Sequence, residues 1–349
     1  MTQSLTLEEI AKQAGVSRST VSRVINDHPN VSDDVRERVR GIIQVTGYRP
    51  HPAARSLASR KTNVIGLVIP RSTHTFFSDP YFPQLTQGVA ESCNQHDYIL
   101  SLFLFKTEDD ERRLIPRISR KGLVDGLIIQ STHLGDKFIP QLSKGTVPFL
   151  VVGRPINAPE ANYIDVDNVD GAYQAVTHLI QSGRRRIATV TCALNTSVGL
   201  DRLDGYKKAL SSKDISLEKD LVAEGDFTEL GGYLATKALL PKGFDALFVA
   251  SDTMALGAMR ALKEVGLNVP QDISVVGFDD LPPALQTDPP LTTIRQPIRR
   301  FGAKAVEALL DIIDNGTGRT RQIIMGVELV IRESSSVNEG KQKDTNFFV

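Results

Sequence analysis

Thr6-Leu7-Glu8-Glu9-Ile10-Ala11-Lys12-Gln13-Ala14-Gly15-Val16-Ser17-Arg18-Ser19-Thr20-Val21-Ser22-Arg23-Val24-Ile25-Asn26 sets the reading of everything that follows. Thr6 and Glu9 have the capping-box spacing, a hydroxyl at the N-cap and a carboxylate three residues on. Leu7, Ile10, Ala11 and Ala14 then recur at i, i+3, i+4 and i+7, which is one apolar helix face. Gly15 breaks that helix, and Ser17 can cap a second one over Arg18–Ile25. Its inward residues are Val21, Val24 and Ile25, and its outward ones are Arg18, Ser19, Ser22 and Arg23. A loop from Asn26 to Asn30 leads to Ser32, which can cap a third helix carrying Val35, Val39, Ile42 and Ile43 and ending at Gly47. An arginine can pair bidentately with guanine O6 and N7 in the major groove. The hydroxyls of Ser17, Thr20 and Ser22 suit phosphates and base edges. By residue type alone, the same surface could equally be the solvated face of an ordinary three-helix domain.

Working outward, 349 residues exceed one ordinary core and predict two or three domains. Lys+Arg and Asp+Glu both total 41, yet the charges are unevenly spread. Up to residue 61 there are ten basic groups and six acids, a balance of +4 that leaves −4 for the remainder. A basic head on a mildly acidic body points to a polyanionic partner for the head. Cys93 and Cys192 are too few for a disulfide framework or a four-ligand zinc site. No basic-then-apolar leader opens the chain, and no apolar run reaches the ~20 residues of a membrane span. The expected compartment is the cytoplasm.

After Tyr48, the run Pro50-His51-Pro52-Ala53-Ala54-Arg55-Ser56-Leu57-Ala58 favours a short helix, of a length marginal in water. From Asn63 onward, apolar runs alternate with helix-period stretches. Strands are expected at 64–69, 98–105, 126–129, 148–152, 187–190, 246–249 and 273–276. Such alternation implies parallel sheets covered on both faces. Two such sets make two lobes, with ligand at the strand carboxyl ends in the cleft between them.

The opening stretch, with its unbroken pattern from Ile10 to Asn26 and a second from Val31 to Pro50, resembles the headpiece of the Lac repressor/galactose repressor family. VDGLI (124–128), DRLDGY (201–206), SDTMALGAMRAL (251–262), VPQDISVVGFDD (269–280), LTTIRQP (291–297) and IRES (331–334) resemble that family's effector domain, so the likeness runs to about residue 335. The resemblance implies an all-α helix-turn-helix headpiece (1–49), a hinge helix (50–62) and a two-lobed α/β domain like periplasmic sugar-binding proteins (63–336). A polar tail (337–349) follows. It divides the lobes as 63–162 plus 294–325 and 163–293 plus 326–336, with passages near 162–164, 290–293 and 325–327. It makes Arg18 and Ser19 the residues of operator choice and Arg23 a general base contact. Thr6, Ser17, Thr20, Ser22, Asn26 and Ser32 match phosphate-contacting positions. Arg55 lies in the hinge, where Leu57 would wedge into the minor groove rather than pack on the body from a flexible linker.

The same resemblance places Asp79, Tyr81, Phe82, Arg154, Arg202, Phe227, Ser251 and Asp279 at the ligand site. Arg202 and Asp279 can donate to and accept from neighbouring hydroxyls, and an aromatic ring can stack on a sugar face. Asp280 is expected to cap or pair. The function implied is a homodimeric repressor of carbohydrate-utilisation genes, released from a palindromic operator by a sugar. The alternatives are a corepressor-type regulator answering to a nucleobase or phosphorylated metabolite, an activator, a secreted solute-binding protein, and a sugar-acting enzyme. Against the last stand the absent G-x-S-x-G, phosphate-loop and G-x-G-x-x-G motifs and the scattered histidines. No cofactor and no metal are expected.

Overall fold

A computed structural model describes residues 5–25, 27–48, 61–70, 73–105, 107–130, 133–135, 138–316, 318 and 320–336. The expectations for Asn26, the hinge with Arg55 and Leu57, and the tail after Ser336 lie outside these residues. The chain divides into two compact units, 1–62 and 63–349.

The first unit carries α1 (Leu7–Ala14), α2 (Arg18–Ile25) and α3 (Asp33–Thr46). The capping box forms as its spacing predicts. The Thr6 hydroxyl accepts from the Glu9 amide, and the Glu9 carboxylate accepts from the Thr6 amide at 2.6 Å. Gly15 closes α1 with φ +64°, a left-handed turn in which a β-carbon would crowd the backbone. Ile10, Ala11, Ala14, Val21, Val24 and Val39 form the buried centre. Ser17 caps α2, its hydroxyl accepting from the Thr20 amide at 3.1 Å. Ser32 holds the N-cap position of α3 in extended geometry, but its side chain makes no capping hydrogen bond, contrary to expectation.

The second unit contains two six-stranded sheets. The early part runs β1 (Val64–Ile69), α4 (Thr73–Ser78), α5 (Tyr81–Gln95), β2 (Ile99–Leu104), α6 (Glu108–Ile118), β3 (Gly126–Gln130), α7 (Phe138–Leu142), β4 (Phe149–Val152) and β5 (Tyr163–Val166). Then come α8 (Asn168–Gln181), β6 (Ile187–Thr191), α9 (Ser197–Ser211), β7 (Val222–Glu224), α10 (Glu229–Leu239), β8 (Ala246–Val249), α11 (Asp252–Glu264), β9 (Ser274–Asp279), α12 (Pro283–Gln286) and β10 (Thr292–Arg295). Last are α13 (Ile298–Asn315), β11 (Gln322–Met325) and β12 (Glu328–Val330).

The first sheet has the order β11-β5-β4-β3-β1-β2, all parallel. The second has the order β12-β10-β9-β8-β6-β7, parallel except for β12. The central strands β3, β6, β8 and β9 are buried almost throughout, as strands covered by helices on both faces must be. Helices α5 and α13 cover the first sheet. At their crossing, a β-carbon on Gly88 would lie 2.0 Å from the Arg299 carbonyl oxygen, so only glycine permits that approach.

The passages between lobes differ from expectation at two of their places. Strand β5 pairs with β4 and β11 in the first sheet, so the chain leaves that lobe after Val166 and not at 162–164. Strand β10 pairs with β9 and β12 in the second sheet, which moves the return from 290–293 to Gln296–Pro297. The reason is register. Tyr163–Val166 and Thr292–Arg295 still have a strand to pair with, and extended chain stays in a sheet until its hydrogen-bonding partner ends. The last passage falls between Met325 and Glu328, within the stretch expected for it.

Candidate functional site

On the headpiece, α2 buries Val21 and Val24 and leaves Arg18, Ser19 and Arg23 exposed. This is the polarity its sequence spacing dictates. The hydroxyls of Ser17, Ser19 and Thr20 cluster at the start of the helix, with Ser17 Oγ 2.7 Å from Ser19 Oγ and 2.8 Å from Thr20 Oγ1. Helix starts of this kind offer amide and hydroxyl donors to phosphate oxygens. Arg18 is paired with Glu8 of α1 at 3.0 Å, a partner that the spacing alone did not single out.

In the second unit, strand order reverses at β1 and β3 in one sheet and at β6 and β8 in the other. Loops leaving the carboxyl ends at such a switch point diverge and open a crevice. There the structure encloses a cavity of about 280 Å³, near the lower end of the range for small-molecule sites. Asp79, Tyr81, Phe82, Arg202, Phe227 and Asp279 all line it, so most of the expected ligand residues converge.

Arg202 is the centre of the polar floor. It projects from α9 and is 4% exposed. Its Nε donates to Asn168 Oδ1 at 2.9 Å, one terminal nitrogen donates to the Ala250 carbonyl, and the guanidinium lies 3.2 Å from Asp279 Oδ1. The face of the guanidinium covers the Phe278 ring at 3.6 Å, a stacked geometry open to arginine and not to lysine. Asp279 ends β9 at φ +118°, a backbone region that non-glycine residues rarely hold without support. Its carboxylate also accepts from Gln296 Nε2. Burial pushes its pKa up to about 6, against the pull of Arg202.

Behind it lies Asp252, fully buried at the start of α11, accepting from Thr293 Oγ1 at 2.6 Å and the Leu281 amide at 2.8 Å. Burial first, then the Asp279 charge, raises its pKa well above the ordinary value. Asp79 is likewise raised by burial and accepts from the Tyr81 amide at 2.9 Å. The Tyr81 and Phe82 rings meet edge to face at 5.4 Å between centroids, and Phe227 sits in a left-handed turn at φ +67°.

Arg154 and Ser251 do not line the cavity. Arg154 is pulled away by Asp201 of α9, its Nε donating to Asp201 Oδ2 at 3.2 Å, so it ties the two lobes together. Nearby, the Leu134 amide donates to the Asn195 carbonyl at 2.9 Å, and His133 and Thr196 form a bridge of the antiparallel kind. Ser251 is 3% exposed and caps α11, accepting from the Met254 amide at 3.3 Å. Asp280 pairs with Arg295 and Arg332, each at 2.6 Å, which agrees with its expected role.

Asp165, Asn168 and Gln296 line the cavity without having been singled out. They stand where the chain passes between lobes, so correct placement of β5 and β10 would have pointed to them. Asp165 is 5% exposed and accepts from the amides of Arg154 and Val166. Burial raises its pKa to about 6. Gln130, Thr196 and Asp226 also line the cavity, and the Gln130 Oε1 atom is buried without a hydrogen-bond partner. Among the described residues no group of His, Cys, Asp and Glu is placed to hold a metal ion, and no helix is long and apolar enough to cross a membrane.

A helix-turn-helix unit with an exposed arginine-bearing helix, joined in one chain to a two-lobed sheet domain with a polar cleft, defines a ligand-sensing DNA-binding regulator. Residues 6–51 match the family described as bacterial regulatory proteins, lacI family, and residues 176–335 match the periplasmic binding protein-like domain. The chain belongs to the lacI family of bacterial transcription regulators. It is 36% identical to the HTH-type transcriptional regulator CelR of Thermobifida fusca, over 94% of this chain and 98% of that one. It is also 36% identical to the HTH-type transcriptional repressor PurR of Haemophilus influenzae (strain PittEE), with the same coverages. A CelR–cellobiose complex matches with TM-score 0.75 at 35% identity, covering 95% of this chain and 99% of that one. The Lac repressor dimer bound to operator and the anti-inducer ONPF matches with TM-score 0.82 at 30% identity, covering 96% and 100%. The chain is thus a DNA-binding regulator and not an enzyme.

Proposed function

We propose that this regulator is a cytoplasmic repressor of carbohydrate-utilisation genes that leaves its operator when a sugar fills the interlobe cleft. The observation that carries this reading is the cavity floor, where Arg202 and Asp279 stand beside Tyr81, Phe82 and Phe227. A polyol needs adjacent donors and acceptors for its hydroxyls and an apolar ring for its C–H face. The CelR–cellobiose complex supports the same reading by similarity.

In this scheme two copies pair to set two headpieces on a palindrome. Ile99 and Leu102 on edge strand β2, and Leu230 and Leu234 on α10, are apolar and exposed, and offer surface for that pairing. Arg18, Ser19 and Arg23 read bases, while Thr6, Ser17, Thr20, Ser22, Asn26 and Ser32 meet phosphates. Arg55 and Leu57 engage the minor groove from the hinge, with Leu57 as the wedge. For a sugar to act as inducer it must bind the DNA-free state more tightly than the DNA-bound state.

The test is binding of purified protein to palindromic DNA selected from a random pool, with and without mono- and disaccharides. One sugar should lower operator affinity, and Asp279→Ala should abolish the response while DNA is still bound. Operator binding tightened by hypoxanthine or guanine, and unmoved by every sugar, would replace this reading with a purine corepressor. The PurR relatives make that the second reading to test.

A further inference from the structure

We infer that the interlobe cleft accepts a neutral or amine-bearing saccharide and rejects phosphorylated and acidic ones, an inference that rests on the sugar reading above. Four carboxylates, Asp79, Asp165, Asp226 and Asp279, line this one cavity. Among its described lining residues the only guanidinium or ammonium is that of Arg202, with His133 exposed at the rim. Charge of one sign concentrated in a low-dielectric cleft repels ligands of that sign.

Hydrogen-bonding capacity points the same way. A phosphoryl group carries −1.5 to −2 charges and offers essentially acceptor oxygens, so it needs a fork of arginine donors or free helix-start amides. Arg202 directs its Nε and one terminal nitrogen to Asn168, Ala250 and Asp279, so a single terminal nitrogen is left to face a ligand. Where helices begin at the cleft, side chains of this chain already take one amide each: Gly199 in α9 donates to Thr196, Asp170 in α8 to Asp167, and Tyr81 in α5 to Asp79.

What the cavity holds in surplus is acceptors. Besides the carboxylates, Gln130 Oε1 is buried and unpartnered. An unmet acceptor in such a place calls for a donor from the ligand. Sugar hydroxyls or an ammonium group can supply it, whereas a phosphoryl group brings more acceptors.

The experiment is isothermal titration of the full-length protein with cellobiose, maltose, sucrose, trehalose, glucose and glucosamine, alongside cellobiose 6-phosphate, sucrose 6-phosphate, trehalose 6-phosphate and glucose 6-phosphate. At least one unphosphorylated sugar is expected to bind, with its 6-phosphate at least about tenfold weaker. Asp79→Asn should narrow that gap, and Asp226→Asn, a change at an exposed position, should do so independently. A 6-phosphate that binds as tightly as its parent sugar, or more tightly, overturns the inference and leaves the sugar reading standing. Hypoxanthine or guanine binding in place of every sugar overturns both.

Discussion

Arg202 and Asp279 meet 3.2 Å apart at the floor of the cleft, one from a helix and the other from a strand end of the second lobe. Both side chains are almost wholly removed from solvent, at 4% and 10% exposure. Neither could stay ionised there alone. Arg202→Met leaves Asp279 beside Asp79 and Asp252 with no cation. It is expected to cost about 3–5 kcal/mol of stability and to abolish effector binding. Thermal unfolding and titration calorimetry on the same preparation read both effects.

Asp165 provides a pH signature. Burial raises its pKa from 3.8 to about 6 in the folded protein, with Asp201 adding to the rise and the Val166 amide, Arg154 amide and Arg202 charge opposing it. The folded state therefore holds this proton more tightly than the unfolded chain. The penalty from ionising it is full above pH 6 and fades as pH falls from 6 through 3.8, amounting to on the order of 3 kcal/mol over that window. Asp279 shifts in the same direction. In the ligand-free protein, Asp165→Asn should flatten the dependence of Tm on pH between 4 and 7. An unchanged profile would refute the assignment.

The Arg154–Asp201 pair is partly exposed, at 38% and 17%, so it adds less than about 1 kcal/mol to stability. Its effect should appear instead in how long the lobes stay shut. Asp201→Asn is expected to leave Tm almost unchanged while speeding effector release, measured by stopped-flow displacement. Equal release rates would show that the pair does not hold the cleft closed.

Arg18→Ala should relax base preference by about 1–3 kcal/mol at its contacted base pair. Glu8→Gln frees Arg18 from its 3.0 Å partner and should change the operator sequences selected from a random pool without unfolding the headpiece. If both variants select the same operators as the parent, α2 does not choose bases through Arg18.

Gly15→Ala places a β-carbon in the left-handed turn between α1 and α2. The expected cost is about 1–2 kcal/mol, confined to the headpiece. Hydrogen exchange should show it opening earlier while the body's strands keep their protection.

The headpiece was readable because its signals are local. Thr6 and Glu9 are three residues apart, and Gly15 stands where its backbone angle demands it. The strands β1, β3, β6, β8 and β9 were legible as short apolar runs. Strands β5, β10 and β11 were not, since Asp165, Thr293 and Gln322 break up their apolar character. Their strand identity comes from neighbours distant in the chain, such as the Gln322–Tyr163 pairing. The cleft is less legible at the same places. Asp165 and Gln296 line it because the passages lie a few residues later than the sequence suggests. Arg154 and Ser251 are expected there by resemblance, and in the structure they partner Asp201 and the Met254 amide instead.

Strand β11, residues 322–325, completes the first sheet beside β5, and β12 completes the second beside β10. Neither sheet can be completed until residues 322–330 have been synthesised. The headpiece, with its own buried centre, has its three described helices by residue 46. At synthesis rates of about 5–20 residues per second, the DNA-reading part is thus assembled many seconds before the sensing part exists. A message cut short upstream of codon 322 would yield a protein that retains the reading head and lacks the closing strand of both sheets in the sensing part.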